Sequence, residues 1–265
     1  MQKISIIGCG WLGLPLAKKL LSKNYIVSGS TTSKDKLNDL KKNNIDAYIL
    51  NFPNNINTLK TLCETDILIL TLPFKRSYTP PEIYYKQLKT ILNYAENKQV
   101  KKILLTSSTS AYSNTNTNVH EDDKIIADNK RQQTLLDSEQ MILSASFCKS
   151  IVARLSGLYG PNREIGKFIQ NKSNQNGNNK VNLIHQDDVV EILIKLIESN
   201  HWNEIYNIVS DNHPTKIELY TKKALEKKIK VPLFDNDAPL SFKIVSNKKI
   251  KKLLNYTFKY PNPLE

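Results

Sequence analysis

The apolar run Ile4-Ser5-Ile6-Ile7 ends in glycines spaced G-x-G-x-x-G at Gly8, Gly10 and Gly13, and a leucine-rich segment follows at once. Such a run before the glycines predicts a buried strand. Leu12, Leu16 and Leu20 share one helical face after them, and Pro15 sits in the first turn, where its missing N–H costs nothing. Strand, glycine turn and helix in this order impose a parallel α/β unit. In that unit the first glycine permits the tight turn, the second lets backbone approach a pyrophosphate, and the third lets helix and strand pack closely. The helix start then offers N–H groups and a partial positive charge to phosphate, so the motif predicts a bound dinucleotide.

The second strand ends in Gly29-Ser30-Thr31-Thr32-Ser33-Lys34, with no acid there to accept hydrogen bonds from a free ribose 2′-hydroxyl. Hydroxyls and an ammonium suit a 2′-phosphate, which favours NADP(H) over NAD(H). Ser33 also reads as the cap of the following helix. The expected dinucleotide contacts are Gly8, Gly10, Trp11, Leu12, Gly13, Ser30, Thr31, Thr32, Ser33, Lys34, Leu72, Pro73 and Ser107.

Further β-rich runs (YIVSG, AYILN, ILILTL, KILLTS, SIVARL, VNLIH and IYNIV) alternate with helical segments. This is the pattern of a Rossmann-type α/β fold, a doubly wound parallel sheet with helices on both faces. Residues 1–160, completed by 182–212, read as the dinucleotide-binding core. Residues 161–181 and 213–265 read as a small substrate-binding lobe. Ala111–Lys130 and Gln170–Lys180 are polar and lack periodicity, so both read as loops.

The excess of 38 basic over 25 acidic side chains gives a net charge of +13, which raises nucleic acid as a partner. The lysines, however, are scattered in pairs (Lys18-Lys19, Lys41-Lys42, Lys222-Lys223, Lys248-Lys249) without an aromatic-studded basic strand or a recognition helix, which points away from it. No apolar run reaches the roughly 18 residues of a membrane helix, and no signal peptide is evident. The expected setting is therefore the cytoplasm. Cys9, Cys63 and Cys148 are odd in number and unpatterned, which suits buried thiols. His120, Glu121, Asp122 and Asp123 cluster in the first long loop but match no metal-ligand spacing, so no metal is expected. The absence of a G-x-S-x-G elbow argues against a serine hydrolase.

The blocks GCGWLG, KILLTSSTSAYS, VARLSGLYGPNR, VNLIHQDDVVEILIKLIE, EIYNIVSDNHPTKIELY and KIVSNKKIKKLL, in this order, resemble the extended short-chain dehydrogenase/reductase superfamily. The resemblance is to its nucleoside-diphosphate-sugar epimerase/dehydratase branch, including its short, atypical bacterial members, and covers nearly the whole chain. It implies a catalytic hydroxyl after the fifth strand, which falls on Ser108, four residues before Tyr112. It also implies a Tyr-x-x-x-Lys pair on the next helix, NKRQQTLLDSEQMILSA, whose apolar face is expected to be Leu135, Leu136, Met141 and Leu143. With Glu139 matched to the acid that follows the lysine, the pair falls on Arg131 and Leu135. Leucine carries no charge, and arginine stays protonated, so the usual proton relay is missing. Arg131 then reads as a group for a developing oxyanion or an anionic substrate, and Ser108, Tyr112 or the His120–Asp123 loop as sources of a proton. In IHQDDVV an aspartate reads first as an N-cap, and His185 and Asp187 border the substrate cleft by resemblance.

Two readings stay open. One is an NAD(P)-dependent epimerase/dehydratase or oxidoreductase acting on a small or sugar-nucleotide-like substrate without the usual pair. The other is a noncatalytic NADP(H)-binding sensor or interaction protein. The partners expected are the dinucleotide and an unidentified small molecule, with no nucleic acid and no membrane, and a homodimer is compatible with either reading.

Overall fold

The computed structural model describes residues 1–74, 79–165 and 176–265. In chain order, β1 (Lys3–Ile7), α1 (Gly13–Ser22), β2 (Ile26–Thr31), α2 (Lys34–Lys42) and β3 (Asp46–Ile49) form the first half-turn of the fold. α3 (Thr58–Leu62), β4 (Ile67–Leu70), α4 (Pro81–Asn97) and β5 (Lys102–Ser108) follow. After β6 (Asn118–Val119) come α5 (Lys130–Leu143), β7 (Lys149–Leu155), β8 (Gly157–Tyr159) and β9 (Leu183–His185). The chain ends with α6 (Gln186–Glu198), β10 (Glu204–Ile208), α7 (Lys216–Glu226), β11 (Ile244–Val245) and α8 (Lys248–Leu254).

Seven strands build the main sheet in the order β10-β7-β5-β4-β1-β2-β3. β1 pairs in parallel with β2 and β4, β2 with β3, and β4 with β5. The order reverses beside β1, the arrangement of a Rossmann-type sheet, in which ligands bind outside the carboxyl ends of the strands. All four residues of β4 are buried, as are Ile103, Leu104 and Leu105 of β5. Their continuous apolar sequence follows from helices covering both faces. Leu12, Leu16 and Leu20 are buried together, as their spacing requires.

Two expectations change. VNLIH does not join the main sheet; its last three residues, β9, pair with β8 in a separate two-stranded ladder. Val181 and Asn182 precede the strand, and α6 begins directly after His185, which leaves only Leu183–His185 extended. On α5 the buried residues are Gln132, Thr134, Leu135, Ser138, Glu139 and Ile142, whereas Leu136, Met141 and Leu143 are half-buried. The helix turns a mixed polar face inward, and most of its polar groups, the Ser138 hydroxyl apart, find partners. Thr134 Oγ1 donates to Lys130 O, Asn129 Nδ2 to Gln132 Oε1, and Glu139 receives a hydroxyl from β5.

Compactness divides the chain into two units, one of residues 1–107, 129–153 and 194–205, the other of residues 108–128, 154–193 and 206–265. The second contains the small ladders β6–β11 and β8–β9. The loop expected at Gln170–Lys180 lies outside the described residues up to residue 175. All three cysteines are free, with Cys9 and Cys63 buried and Cys148 half-buried.

The turn between β1 and α1 tests this packing. Gly8 has φ +109°, and a Cβ on Gly13 would lie 2.5 Å from the Gly8 carbonyl oxygen. Backbone cannot yield as a flexible side chain does, so Gly13→Ala should destabilise the protein by about 1–3 kcal/mol. A melting temperature lower by several degrees is expected, and one equal to the parent's would show that the helix start is not packed this closely.

Candidate functional site

In the first unit the glycine turn is held from two sides. Gly8 N donates to Ser30 Oγ at 3.1 Å and Cys9 N to Ser30 O at 2.7 Å, which fastens the turn to the end of β2. From the other side Thr71 Oγ1 donates to Gly8 O at 2.7 Å. A Cβ on Gly8 would also meet Thr71 O at 2.9 Å. Gly8 and Gly13 are thus glycines because the protein itself leaves no room. Gly10 is different. It is exposed, its φ is not positive, and the nearest atom to a Cβ there is Gly8 O at 3.9 Å. Nothing among the described residues demands a glycine at this position, whereas a phosphate lying on the turn would. Leu12, in the N-cap position of α1, makes no side-chain capping hydrogen bond, and the Leu14 amide goes to Gly10 O at 3.1 Å. Cys9 between the glycines is inert, since burial pushes its thiol up to about 12.

Ser30 and Thr31 are buried, and Ser30 is occupied with the turn. Thr32 and Lys34 are exposed and Ser33 half-buried at the start of α2. Ser33 Oγ accepts from Lys36 N at 3.3 Å, the cap its position suggests. Donors at this end of β2 are therefore Thr32, Lys34 and the α2 amides, with Asp35 in the same first turn. Leu72 is half-buried and Pro73 exposed directly after Thr71. At the end of β5, Ser107 Oγ donates to Glu139 Oε1 at 2.5 Å, both residues being buried.

Arg131 and Leu135 lie on the first half of α5. Leu135 is buried. The Arg131 guanidinium carbon stands 3.5 Å from the centroid of the Phe74 ring, and its NH2 donates to the Phe74 carbonyl. Phe74 in turn stacks on the buried Tyr84, with ring centroids 4.3 Å apart and planes at 6°.

In the second unit Ser108 closes β5 and caps a short 3-10 turn, Thr109–Ala111. Its Oγ accepts from Ser110 N at 3.1 Å and from Ser110 Oγ at 2.9 Å. A hydroxyl has two acceptor positions and one proton. Both acceptor positions are filled, so Ser108 presents its proton. Tyr112 is buried in a cluster with Val119, Val209 and Val245, and its phenol donates to Asn207 Oδ1 at 2.9 Å. Burial, the largest influence, raises its pKa. Of the acidic loop, His120, Asp122 and Asp123 are exposed and Glu121 is buried. Glu121 Oε1 accepts from Asn207 N at 2.8 Å, and burial raises its pKa.

His185 lies between two rings, Tyr159 at 5.1 Å edge-on and Tyr260 at 3.7 Å. Its Nδ1 accepts from Asp187 N at 3.2 Å, and burial lowers its pKa, so the imidazole is neutral near pH 7. Asp187 Oδ2 is 3.8 Å from His185 Nδ1 and 3.4 Å from Lys259 Nζ. The N-cap expectation needs correction, because Asp187 and Asp188 fall within the first turn of α6. Asp188 is fully buried and accepts from Tyr256 OH, Lys259 N and Tyr260 N at 2.8–3.0 Å. It fastens the C-terminal segment that places Tyr260 on His185, a role the sequence did not signal. No group of three or more His, Cys, Asp or Glu suited to a metal occurs among the described residues, and no helix there is long and apolar enough to cross a membrane.

The sequence profile of the NAD dependent epimerase/dehydratase family matches residues 4–209. The chain belongs to this family. It is 30% identical to Protein YeeZ of Escherichia coli (strain K12) over 269 aligned positions, which cover 100% of this chain and 98% of that protein. Its fold is that of UDP-glucuronic acid 4-epimerase from Bacillus cereus, solved with NAD, at a TM-score of 0.80 and 17% identity over 99% of this chain and 95% of that one. ADP-L-glycero-D-manno-heptose-6-epimerase from Helicobacter pylori shares it at a TM-score of 0.78 and 16% identity, over 99% and 94%. A conserved protein of unknown function from Silicibacter pomeroyi does so at 0.80 and 20%, over 100% and 96%.

Glu121 gives a measurable pH effect. A carboxyl whose pKa is raised on folding contributes stability that is present below its ordinary pKa and is lost as pH rises through the folded value. Glu121→Gln keeps an acceptor for Asn207 N and carries no charge, so the melting temperature of the variant relative to the parent should climb between pH 4 and pH 8. Parallel melting curves across that range would refute the assignment.

Proposed function

We propose that the protein is an NADP(H)-preferring member of its family that acts as an epimerase, dehydratase or reductase on a small or sugar-nucleotide-like substrate, without a Tyr-x-x-x-Lys pair. The observation that carries dinucleotide binding is Gly10, whose open surroundings ask for a glycine only when a ligand lies on the turn. In this reading Gly8, Gly10, Trp11, Leu12 and Gly13 hold the pyrophosphate, and Leu72, Pro73 and Ser107 flank the rest of the dinucleotide. Thr32, Ser33 and Lys34 receive the 2′-phosphate, while Ser30 and Thr31 shape the strand end beneath it. When bound, the nicotinamide supplies or takes up a hydride. Residues 1–160 with 182–212 serve as the dinucleotide core, and 161–181 with 213–265 as the substrate lobe.

Ser108 supports a role on substrate, because its filled acceptor positions leave a proton to donate to a substrate oxygen. His185, neutral and ring-bounded, with Asp187 beside it, supports a second polar surface for that substrate. Tyr112 and Glu121 are each engaged with Asn207, which favours Ser108 over them as the donor. A cytoplasmic setting accords with the free thiols.

The noncatalytic reading rests on Leu135, a buried apolar side chain where the family pattern carries an ammonium. Removal of a positioned acid or base typically costs on the order of 10²- to 10⁴-fold in rate. Conversion of a panel of ketones, UDP-sugars and dTDP-sugars separates the readings, with net NADPH oxidation followed for reduction and substrate conversion with catalytic dinucleotide followed for the redox-neutral epimerisation or dehydration: conversion abolished by Ser108→Ala supports the enzyme, and tight binding without conversion supports the sensor.

Binding itself is tested at two positions. Gly10→Val should melt as the parent does, since its side chain enters open space, yet lose NADPH and NADH alike. Normal binding by the folded variant would remove the glycine turn from the site. Charge-assisted hydrogen bonds contribute about 1.5–3 kcal/mol, so NADPH should bind at least about tenfold more tightly than NADH. Lys34→Glu should narrow that gap, and equal affinities in the parent would sink the NADP preference.

A further inference from the structure

We infer that Arg131 is a positioning residue for the dinucleotide, fastening Leu72–Phe74 beside the glycine turn. The inference rests on the dinucleotide reading above and goes beyond it, since it assigns Arg131 to the shape of the binding surface instead of to substrate chemistry.

The stretch has an anchor at each end. At one end Thr71 N donates to Ile7 O at 3.0 Å, and Thr71 Oγ1 donates to Gly8 O at 2.7 Å, which ties the exit of β4 to the turn. At the other end Phe74 is gripped twice by one guanidinium, on its carbonyl oxygen and on its ring face. That ring also stacks on Tyr84, which is 1% exposed. Phe74 thus contacts both a cation and a buried aromatic ring, an arrangement that a planar guanidinium suits well. Leu72 and Pro73 span the two anchors.

Arg131 is itself held in place. Asn129 caps α5 by accepting from Gln132 N at 3.0 Å, and Lys130 pairs with Glu82 of α4 at 3.4 Å. The helix start that carries Arg131 is therefore tied to the helix that carries Tyr84. Without the guanidinium the Phe74 end loses the hold on its carbonyl and one ring contact and keeps its stack on Tyr84, so the wall beside Gly8 is less firmly fixed. A dinucleotide that has docked then meets fewer fixed contacts along that wall, and the loss reduces affinity. The cost falls on dissociation, because a less complementary wall releases its ligand sooner. A guanidinium acting merely as a distant positive charge would instead speed association in a manner screened by salt.

The experiment is stopped-flow NADPH fluorescence, with equilibrium titration, on the parent, Arg131→Ala, Phe74→Leu and the double variant, each checked by thermal melting. The expected result is a Kd raised about tenfold in each single variant through a faster dissociation rate, with association and its salt dependence unchanged. The double variant should be no weaker than either single one by more than about twofold, as for two residues acting through one contact. A folded Arg131→Ala that binds NADPH with the parent's Kd, or that loses affinity only through a salt-screened association rate, overturns the inference while leaving the dinucleotide reading intact. If Arg131→Ala does not fold, Phe74→Leu decides, and an unchanged Kd there overturns it equally. A parent that binds neither NADPH nor NADH overturns the reading and the inference together.

Discussion

The turn between β1 and α1 closes only because neighbouring strand ends take up its backbone polar groups. Gly8 N goes to Ser30 Oγ, Cys9 N to Ser30 O, and Gly8 O to the Thr71 hydroxyl. Each buried amide or carbonyl left without such a partner would cost on the order of 1–3 kcal/mol. These bonds join β2, β1 and β4 at their carboxyl ends, at the side of the sheet where the strand order reverses. Gly13 then lets α1 sit hard against the same carbonyl. The strand ends, the helix N-terminus and the exposed Gly10 are thus held together as one assembly.

Around this assembly the structure uses polar side chains inward as well as outward. α5 buries Glu139 against Ser107, which fixes the end of β5 just before Ser108. Ser108 is fixed in turn by both polar groups of Ser110. In the second unit Asp188, buried in the first turn of α6, draws three donors from the C-terminal segment and so sets Tyr260 against His185. Buried carboxylates of this kind are tolerated only when fully hydrogen-bonded, and their partners are consequently well placed. The candidate groups Ser108 and His185 are held by such networks rather than by apolar packing alone.

Two positions show how a family pattern and local physics part company. Arg131 stands where the resemblance expects a phenol, and it is engaged with the ring and carbonyl of Phe74. Tyr112 carries a phenol of its own, but that group is buried and donates to Asn207. A residue type suited to proton transfer is thus committed to the core, and a residue type unsuited to it occupies the helix.

Gly8, Gly10 and Gly13 after Ile4–Ile7, the leucine period of α1 and the strand–helix alternation determined the fold class by themselves. Those signals are local, since a turn that needs glycine and a strand buried on both faces leave marks within a few residues. The cap at Ser33 was legible for the same reason. Which glycines the packing itself requires was not, because the difference between Gly10 and Gly13 is what lies near a missing Cβ once the turn has folded. The inward polar face of α5 was misread as Leu136, Met141 and Leu143, since periodicity reports hydrophobicity and Glu139 is buried against Ser107, 32 residues away. The short fate of VNLIH, the hold of Asp188 on the C-terminal segment and the grip of Arg131 on Phe74 were likewise decided in three dimensions. Each depends on a partner dozens of residues distant, whose position no local pattern encodes.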